Sequence, residues 1–195
     1  MTDVSESVWL VGLSGAGKSA VGPLVARRLG FRFVDLDERV EALAGETITT
    51  IFRTGGEAGF RALEEGVTLE LATRSKLVVA TGGGWMARPD VERAAGGRVR
   101  VWLRVRPETA IHRLSEDGIG ERPRLAGPEP EAALAQLLAD RRDAYAEAEL
   151  ALDTDGLRPD EIADAVLRGL RALGFASALE GDVESSMNEE LENRS

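Results

Sequence analysis

The stretch that decides the fold is "VWLVGLSGAGKS", residues 8–19. Its last eight residues follow the pattern Gly, any four residues, Gly-Lys-Ser, directly after an apolar run with the length of a buried strand. In such loops glycines let backbone N–H groups point inward, and the next helix adds its positive end. We expect Lys18 to reach the β- and γ-phosphates of a nucleotide and Ser19 to offer its hydroxyl to Mg²⁺. The alternative is a plain glycine-rich turn, but the complete pattern between a strand and a helix favours phosphate binding.

Length and composition limit the class of protein. The chain has 195 residues, of which 43% are hydrophobic and 30% charged, which is typical of one soluble globular domain. The net charge of −10 argues against nucleic acid as a partner, because phosphate backbones need a basic surface. There is no cysteine, no apolar run long enough to span a membrane, and no basic-then-apolar signal at the N-terminus. We therefore expect a cytoplasmic protein that does not bind membranes. As a separate expectation, we take the protein to be a monomer.

The acidic residues are concentrated at the C-terminus. The stretch 180–195 carries six acidic residues and one arginine and has few apolar side chains. Such a composition cannot bury a core, and it predicts a disordered tail over 176–195 after a single domain over 1–175.

Apolar segments of strand and helix type alternate along the domain. Strands are predicted at 8–11, 31–37, 77–80, 98–105 and 151–154, and helices at 19–30, 37–45, 47–56, 57–74, 107–114, 131–148 and 159–173. Strands separated by helices indicate a parallel sheet covered on both faces, so we predict a three-layer α/β/α fold with five strands. The Gly- and Pro-rich stretch 115–130 has no periodicity, and its Arg122 and Arg124 suggest a lid over phosphate.

Two acidic residues end the second predicted strand. Asp35 and Asp37 share a face if the strand continues through both, and strand ends of this fold point into the ligand crevice. One carboxylate would then hold Mg²⁺ through water and the other would accept a hydroxyl proton. The equally weighted alternative is that Asp37 caps the helix that follows, beside a solvated neighbour.

The motifs taken together are more specific than the phosphate loop. The order "GLSGAGKS", "DLD", "GEAGFRALE", "TGGG" and "RPRLAG" resembles the shikimate kinases over residues 8–173. These are P-loop kinases of the nucleoside monophosphate kinase-like group, which use MgATP to phosphorylate the 3-hydroxyl of shikimate on the route to chorismate and the aromatic amino acids. The resemblance implies the same fold, with a mobile lid at about 115–130.

The resemblance also implies a donor half of the site. Ser19 and Asp35 would bind Mg²⁺, Asp35 through water, and the lid would carry Arg122. An arginine before the lid and a residue after the last strand would contact adenine, for which Arg113 and Pro159 are the nearest matches. The implied ATP contacts are Gly15, Ala16, Gly17, Lys18, Ser19, Ala20, Arg113, Arg122 and Pro159.

The implied acceptor half binds a hydroxylated carboxylate. Asp37 would contact the ring hydroxyls and act as the base, and Arg61, with Glu64 nearby, would bind the carboxylate together with Arg141. Gly82, Gly83 and Gly84 would bring bare backbone close to the substrate. The implied catalytic groups are Asp37, Lys18 and Arg122.

Three positions depart from the family pattern or need a separate interpretation. Arg124 stands where the lid motif usually has an apolar residue, and it would add a second phosphate contact. Arg142 neighbours Arg141, but the spacing to Tyr145 favours Arg141. Trp85, beside the glycine run, is expected to pack in the core.

Two other functions compete with shikimate phosphorylation. A gluconate-type sugar-acid kinase has a similar phosphate loop, but it does not predict the "DLD", "FRALE" and "TGGG" set. A nucleotide-binding regulator without catalysis would be expected to lack the substrate groups, whereas Asp37, Arg61 and Arg141 are all present.

Overall fold

The computed structural model describes residues 7–88, 98–117 and 129–175. The strands are β1 (Val8–Val11), β2 (Arg32–Asp35), β3 (Leu77–Ala80), β4 (Val99–Arg104) and β5 (Leu150–Asp153). The helices in these ranges are α1 (Lys18–Leu29), α2 (Leu36–Ala44), α3 (Ile48–Ala72), α4 (Pro107–Asp117), α5 (Pro130–Ala146) and α6 (Pro159–Ala172). A short 3₁₀ helix covers Trp85–Ala87.

The five strands form one parallel sheet in the order β2-β3-β1-β4-β5, which confirms the predicted sheet. All four residues of β1 are fully buried, as expected of a central strand in a parallel sheet. Leu10 pairs with Ala80, so the chain leaves β1 and β3 side by side. The phosphate loop and the glycine run therefore begin next to each other, at the carboxyl edge of the sheet where ligands bind in this architecture.

Helices cover the sheet and complete the core. α1 packs against β2, β3 and α6. From α5, the ring of Tyr145 stacks on Trp102 of β4 with 5.5 Å between centroids. Trp85 is 1% exposed and stacks on Trp9 of β1 at 4.9 Å, so the prediction that it packs in the core is confirmed.

Three boundaries differ from the predictions. β2 ends at Asp35 and not at residue 37, because α2 begins at once. The two helices predicted at 47–56 and 57–74 are one element, α3, interrupted at Gly56, whose φ of 63° and ψ of −169° are not helical. α4 continues to Asp117 and so takes the first part of the stretch predicted as a loop.

The predicted lid residues Arg122 and Arg124 and the predicted tail 176–195 lie outside the described residues. Within the described ranges, none of the helices combines the length and the apolar character that a membrane span requires.

Candidate active site

The phosphate loop is packed tightly between β4 and α4. Gly12 has a φ of 136°, and a Cβ atom on it would lie 2.6 Å from the carbonyl oxygen of Leu103. Gly15 has a φ of 78°, and its Cβ would lie 2.6 Å from the carbonyl oxygen of Ala110. Both positions combine a left-handed backbone with a close backbone neighbour, so a larger residue would displace the loop. Gly17, also left-handed, forms the N-cap of α1.

Lys18 lies inside the loop that it follows. Its side chain is only 8% exposed, and its Nζ donates hydrogen bonds to the carbonyl oxygens of Gly12 at 2.8 Å and Leu13 at 2.7 Å. The ammonium group is thus held near the N-terminus of α1, where the helix dipole already favours negative charge. This arrangement creates a compact positive centre suited to a phosphate group.

Ser19, Asp35 and Asp37 are connected by hydrogen bonds. Ser19 Oγ donates to Asp35 Oδ2 at 2.6 Å, and the backbone N–H of Asp37 donates to Asp35 Oδ1 at 3.0 Å. The strand-face argument for the two aspartates is therefore wrong, since Asp37 lies in the first turn of α2. The capping alternative named the wrong residue, because Asp35 is the N-cap. The cap by Asp35 nevertheless places both aspartates at the start of α2, where both line the same cavity.

The two predicted substrate arginines reach the site from different helices. Arg61 of α3 forms ion pairs with Glu64 at 2.6 Å and Glu57 at 3.4 Å, and its side chain is 18% exposed. Arg141 of α5 is 8% exposed and donates from Nη1 to the carbonyl oxygen of Gly83 at 2.8 Å. Each guanidinium is thus held in place on a rigid element, as recognition of a planar carboxylate requires.

Each glycine of the run after β3 faces a different part of the site. A Cβ on Gly82 would lie 2.8 Å from Glu64 Oε1, and one on Gly84 would lie 2.5 Å from Arg61 Nη2. A Cβ on Gly83 would lie 3.4 Å from the backbone nitrogen of the phosphate-loop residue Ser14. Residues 82–84 therefore form a wall of backbone against which the functional side chains pack.

A cavity of about 720 Å³ lies in front of this wall. It brings together all the residues of the predicted acceptor site and both predicted metal ligands. These residues are Ser19, Asp35, Asp37, Arg61, Gly82, Gly83, Gly84 and Arg141. A space of this size is in the usual range for small-molecule sites.

Sequence reasoning missed the other residues that line the cavity. Phe52 and Phe60 stack on each other at 4.9 Å and provide an apolar part of the cavity lining. The guanidinium of Arg61 also lies 5.3 Å from the centre of the Phe60 ring. The available signal was their spacing: Phe60 precedes Arg61 in "GFRALE", and Phe52 lies eight residues earlier. The remaining residues of the lining that were missed are Glu38, Glu41, Thr47, Ile48 and Thr49. Glu64, which the resemblance implied near Arg61, also lines the cavity.

Glu64 is a buried carboxylate in the wall of the cavity. It is 1% exposed, and its Oε2 accepts from Arg61 Nη1 at 2.6 Å. No donor among the described residues forms a hydrogen bond with Glu64 Oε1. Burial of a charge is costly unless it is paired, so Arg61 and Glu64 depend on each other for their positions.

The two predicted adenine contacts lie outside this cavity. Arg113 donates to the carbonyl oxygen of Gly15 at 3.3 Å, and to the hydroxyl and carbonyl oxygens of Thr154 at 3.2 and 2.6 Å. It thus joins the phosphate loop to the residue that follows β5. Pro159 is the exposed first residue of α6. Ala16 is buried in the loop, and Ala20 is an exposed residue in the first turn of α1.

Comparison with known proteins identifies the family. A family model described as "Shikimate kinase" matches residues 14–171. The shikimate kinase of Synechococcus sp. (strain CC9902) is 43% identical over 168 residues, which cover 86% of this chain and 87% of the relative.

Solved structures agree with the sequence comparison. The structure of shikimate kinase from Acinetobacter baumannii in complex with shikimate matches with a TM-score of 0.81 and 34% identity, covering 85% of this chain and 93% of that one. A gluconokinase from Sinorhizobium meliloti 1021 matches with a TM-score of 0.57 and 22% identity, covering 87% and 94%. The similarity to the gluconokinase is one of fold alone.

Proposed function

The chain belongs to the shikimate kinase family, and we propose that it transfers the γ-phosphoryl group of ATP to the 3-hydroxyl of shikimate. The products are shikimate 3-phosphate and ADP, in the biosynthesis of aromatic amino acids. The observation that carries this proposal is the cavity in which Asp37, Arg61 and Arg141 lie together with Ser19 of the phosphate loop. A sugar-acid kinase is disfavoured because the sequence similarity to shikimate kinases covers most of the chain. A regulator without catalysis would not need the substrate groups.

Lys18 and the backbone of the loop hold the phosphates in this proposal. The ammonium group of Lys18 exchanges its bonds to the carbonyl oxygens of Gly12 and Leu13 for bonds to phosphate oxygens. The N-terminus of α1 adds favourable dipole interactions. Arg113 supports the loop through Gly15 and offers its guanidinium plane to the adenine, for which Pro159 is a second proposed contact.

The donor set beside the loop fits Mg²⁺. The hydroxyl of Ser19 and the carboxylate of Asp35 are hard oxygen ligands, and they already lie 2.6 Å apart. Ser19 would bind the ion directly and Asp35 through water. When bound, Mg²⁺ neutralises charge on the phosphates of ATP.

The acceptor is held by charge and by shape. Arg61 and Arg141 bind the shikimate carboxylate, and their separate elements fix its direction. The glycine wall lets the ring approach the backbone closely, and the stacked Phe52 and Phe60 cover an apolar face of the cavity. Orientation of the hydroxyl is the main requirement of the reaction, since phosphoryl transfer needs little covalent help from the protein.

Asp37 takes the proton of the reacting hydroxyl. As the hydroxyl oxygen forms a bond to the γ-phosphorus, the bond from that phosphorus to the bridging oxygen of ADP breaks, and Asp37 accepts the proton. Lys18 and Arg122 stabilise the charge on the transferring group. In this proposal Arg122 belongs to a lid, for which Arg124 is a further phosphate contact, and the lid excludes water and so limits ATP hydrolysis.

A coupled assay for ADP formation, with and without shikimate, tests the proposed function. ADP production should depend on shikimate, and mass spectrometry should detect one phosphate added to shikimate. The variant Asp37→Asn keeps the size of the side chain but removes the base, and it should lose most of this activity. Basal ATP hydrolysis that shikimate does not change would refute the proposal. Gluconate in place of shikimate tests the competing kinase function.

We also propose that the protein acts as a cytoplasmic monomer. One chain supplies every group of the site that the proposal uses, so no second copy is required for catalysis. Analytical ultracentrifugation at assay concentrations, with and without substrates, tests the monomeric state.

A further inference from the structure

One backbone carbonyl lies where the two halves of the site meet. The carbonyl oxygen of Gly83 accepts hydrogen bonds from Arg141 Nη1 at 2.8 Å and from the hydroxyl of Tyr145. The same glycine lies against the phosphate loop, since its Cβ position is 3.4 Å from Ser14 N and 3.7 Å from Gly12 O. The Gly83 peptide is thus packed between the loop that carries the donor and an arginine that binds the acceptor.

Tyr145 is buried, and its hydroxyl lies in this cluster. The side chain is 1% exposed, and its ring stacks on Trp102 at 5.5 Å. Arg141 and Tyr145 lie one turn apart on α5, so both reach Gly83 from the same helix face. The stack leaves the phenol ring little freedom, so the fold sets the position of the hydroxyl oxygen beside the Gly83 carbonyl.

The phenol of Tyr145 stays protonated and so remains a hydrogen-bond donor. Burial raises the pKa of Tyr145, and this effect outweighs the charge and the hydrogen bond of Arg141, which act to lower it. The hydroxyl thus keeps its proton throughout the neutral pH range. A phenolate could not donate to the Gly83 carbonyl, and beside that carbonyl it would be repelled.

We propose that Tyr145 is a positioning residue for the acceptor. Its hydroxyl holds the Gly83 carbonyl and contacts Arg141, and so it fixes the direction in which the Arg141 guanidinium faces the cavity. Tyr145 does not touch the substrate in this arrangement. The inference rests on the proposed function, because it assigns Arg141 to the carboxylate of shikimate.

The variant Tyr145→Phe tests this role, since it removes one oxygen and keeps the stacked ring. Losing one buried hydrogen bond should raise the KM for shikimate roughly 3- to 10-fold. The KM for ATP and kcat should stay within about 2-fold of wild type, because the hydrogen bond acts on acceptor binding. A purely structural hydroxyl would lower the melting temperature without this selective change in KM. An unchanged KM for shikimate would overturn the proposal.

Ser7→Ala is a matched control. Ser7 is fully buried directly before β1, at the amino ends of the strands and away from the site. Its hydroxyl oxygen accepts from the backbone N–H of Leu77 at 3.2 Å. This variant also loses one buried hydroxyl hydrogen bond. It should lower the melting temperature without changing either KM, and a rise in its shikimate KM equal to that of Tyr145→Phe would overturn the proposal.

A double-mutant cycle tests whether Tyr145 acts through Arg141. In the Arg141→Ala background, Tyr145→Phe should change the shikimate KM by less than about 2-fold, because the group that it positions is gone. Independent effects that multiply would overturn the proposal. Wild-type protein that phosphorylates no shikimate would instead refute the proposed function, and the inference with it.

Discussion

Ser19 Oγ donates a hydrogen bond to Asp35 Oδ2 at 2.6 Å, which joins the first turn of α1 to the last residue of β2. The other carboxylate oxygen of Asp35 accepts from the backbone N–H of Asp37 and caps α2. One side chain therefore serves both the proposed metal site and the helix that carries the proposed base. Substitutions at Asp35 can separate these two roles.

Asp35→Asn should weaken Mg²⁺ binding and leave the fold intact. Asparagine caps a helix about as well as aspartate does, so α2 keeps its start, but the charge is lost. The Mg²⁺ concentration for half-maximal activity should rise roughly 10- to 100-fold. Asp35→Ala removes the cap as well and should lower the free energy of unfolding by a further ~1 kcal/mol. Activity as a function of Mg²⁺, with urea unfolding of both variants, provides the measurement. An unchanged Mg²⁺ requirement in Asp35→Asn would refute the role in metal binding.

Arg61→Lys should weaken shikimate binding selectively. Lysine keeps a positive charge beside the buried Glu64, which protects the fold, but it cannot form the two parallel hydrogen bonds of a guanidinium. The KM for shikimate should rise roughly 10- to 100-fold and the KM for ATP should stay within about 2-fold. Arg74→Lys is the control, since Arg74, two residues after the end of α3, pairs with Glu70 outside the cavity. Equal losses for both substrates would contradict the role of Arg61 as a carboxylate ligand.

Gly84→Ala should reduce acceptor binding through Arg61. The φ of Gly84 is −100°, which alanine adopts without strain, so the cost comes from its Cβ at 2.5 Å from Arg61 Nη2. The guanidinium must move, and we expect a rise in the shikimate KM of roughly 10-fold or more. Gly66→Ala is the control, because among the described residues no atom beyond the local backbone of α3 lies within 4 Å of its Cβ position. It should leave the kinetics unchanged and stabilise the fold by about 0.5–1 kcal/mol. Wild-type kinetics in Gly84→Ala would contradict the close packing of wall and arginine.

Glu149 should contribute stability that disappears in acid. Burial raises the pKa of Glu149, but hydrogen bonds from the side chain and backbone of Arg100 outweigh burial and hold the pKa below its ordinary value of 4.5. Because the folded pKa is depressed, this stabilisation is complete above about pH 4.5 and is lost as the pH falls through the folded value. Glu149→Gln should therefore lower the free energy of unfolding at pH 7 and differ less from wild type as the pH falls below 4.5.

Urea unfolding of Glu149→Gln across this pH range provides the measurement, with Glu147→Gln as control. Glu147 is an exposed neighbour whose backbone carbonyl accepts from Arg100, a contact that the substitution leaves in place. A loss of stability in Glu149→Gln that is independent of pH would show that the charge is not what stabilises the fold.

Local sequence patterns were sufficient to predict the sheet and the phosphate loop. The apolar run predicts β1 as a buried strand, and the glycine pattern predicts the phosphate loop. Both predictions work because the residue types at those positions determine the structure that they adopt. The break in α3 was likewise visible in the Gly55–Gly56 pair. The family motifs then selected Arg61 and Arg141, which the structure brings to one cavity.

Contacts between distant segments could not be predicted. Nothing near Arg113 in the sequence indicates that it bonds to Gly15 and Thr154, since these meet only when β4 and β5 lie beside the loop. The end of β2 at Asp35 depends on a side-chain cap that competes with strand continuation. The bond from Tyr145 to Gly83 likewise depends on how α5 packs across the sheet.

The glycine wall also limits how the choice of acceptor can change. Residues 82–84 face the site with backbone, so mutation there can only add atoms, and added atoms would meet Glu64, Arg141 or Arg61. A new acceptor specificity would more readily come from Phe52 and Phe60, whose side chains can be made smaller. An engineering library for larger or differently shaped acids would therefore vary Phe52 and Phe60 and keep residues 82–84 and Arg61 constant.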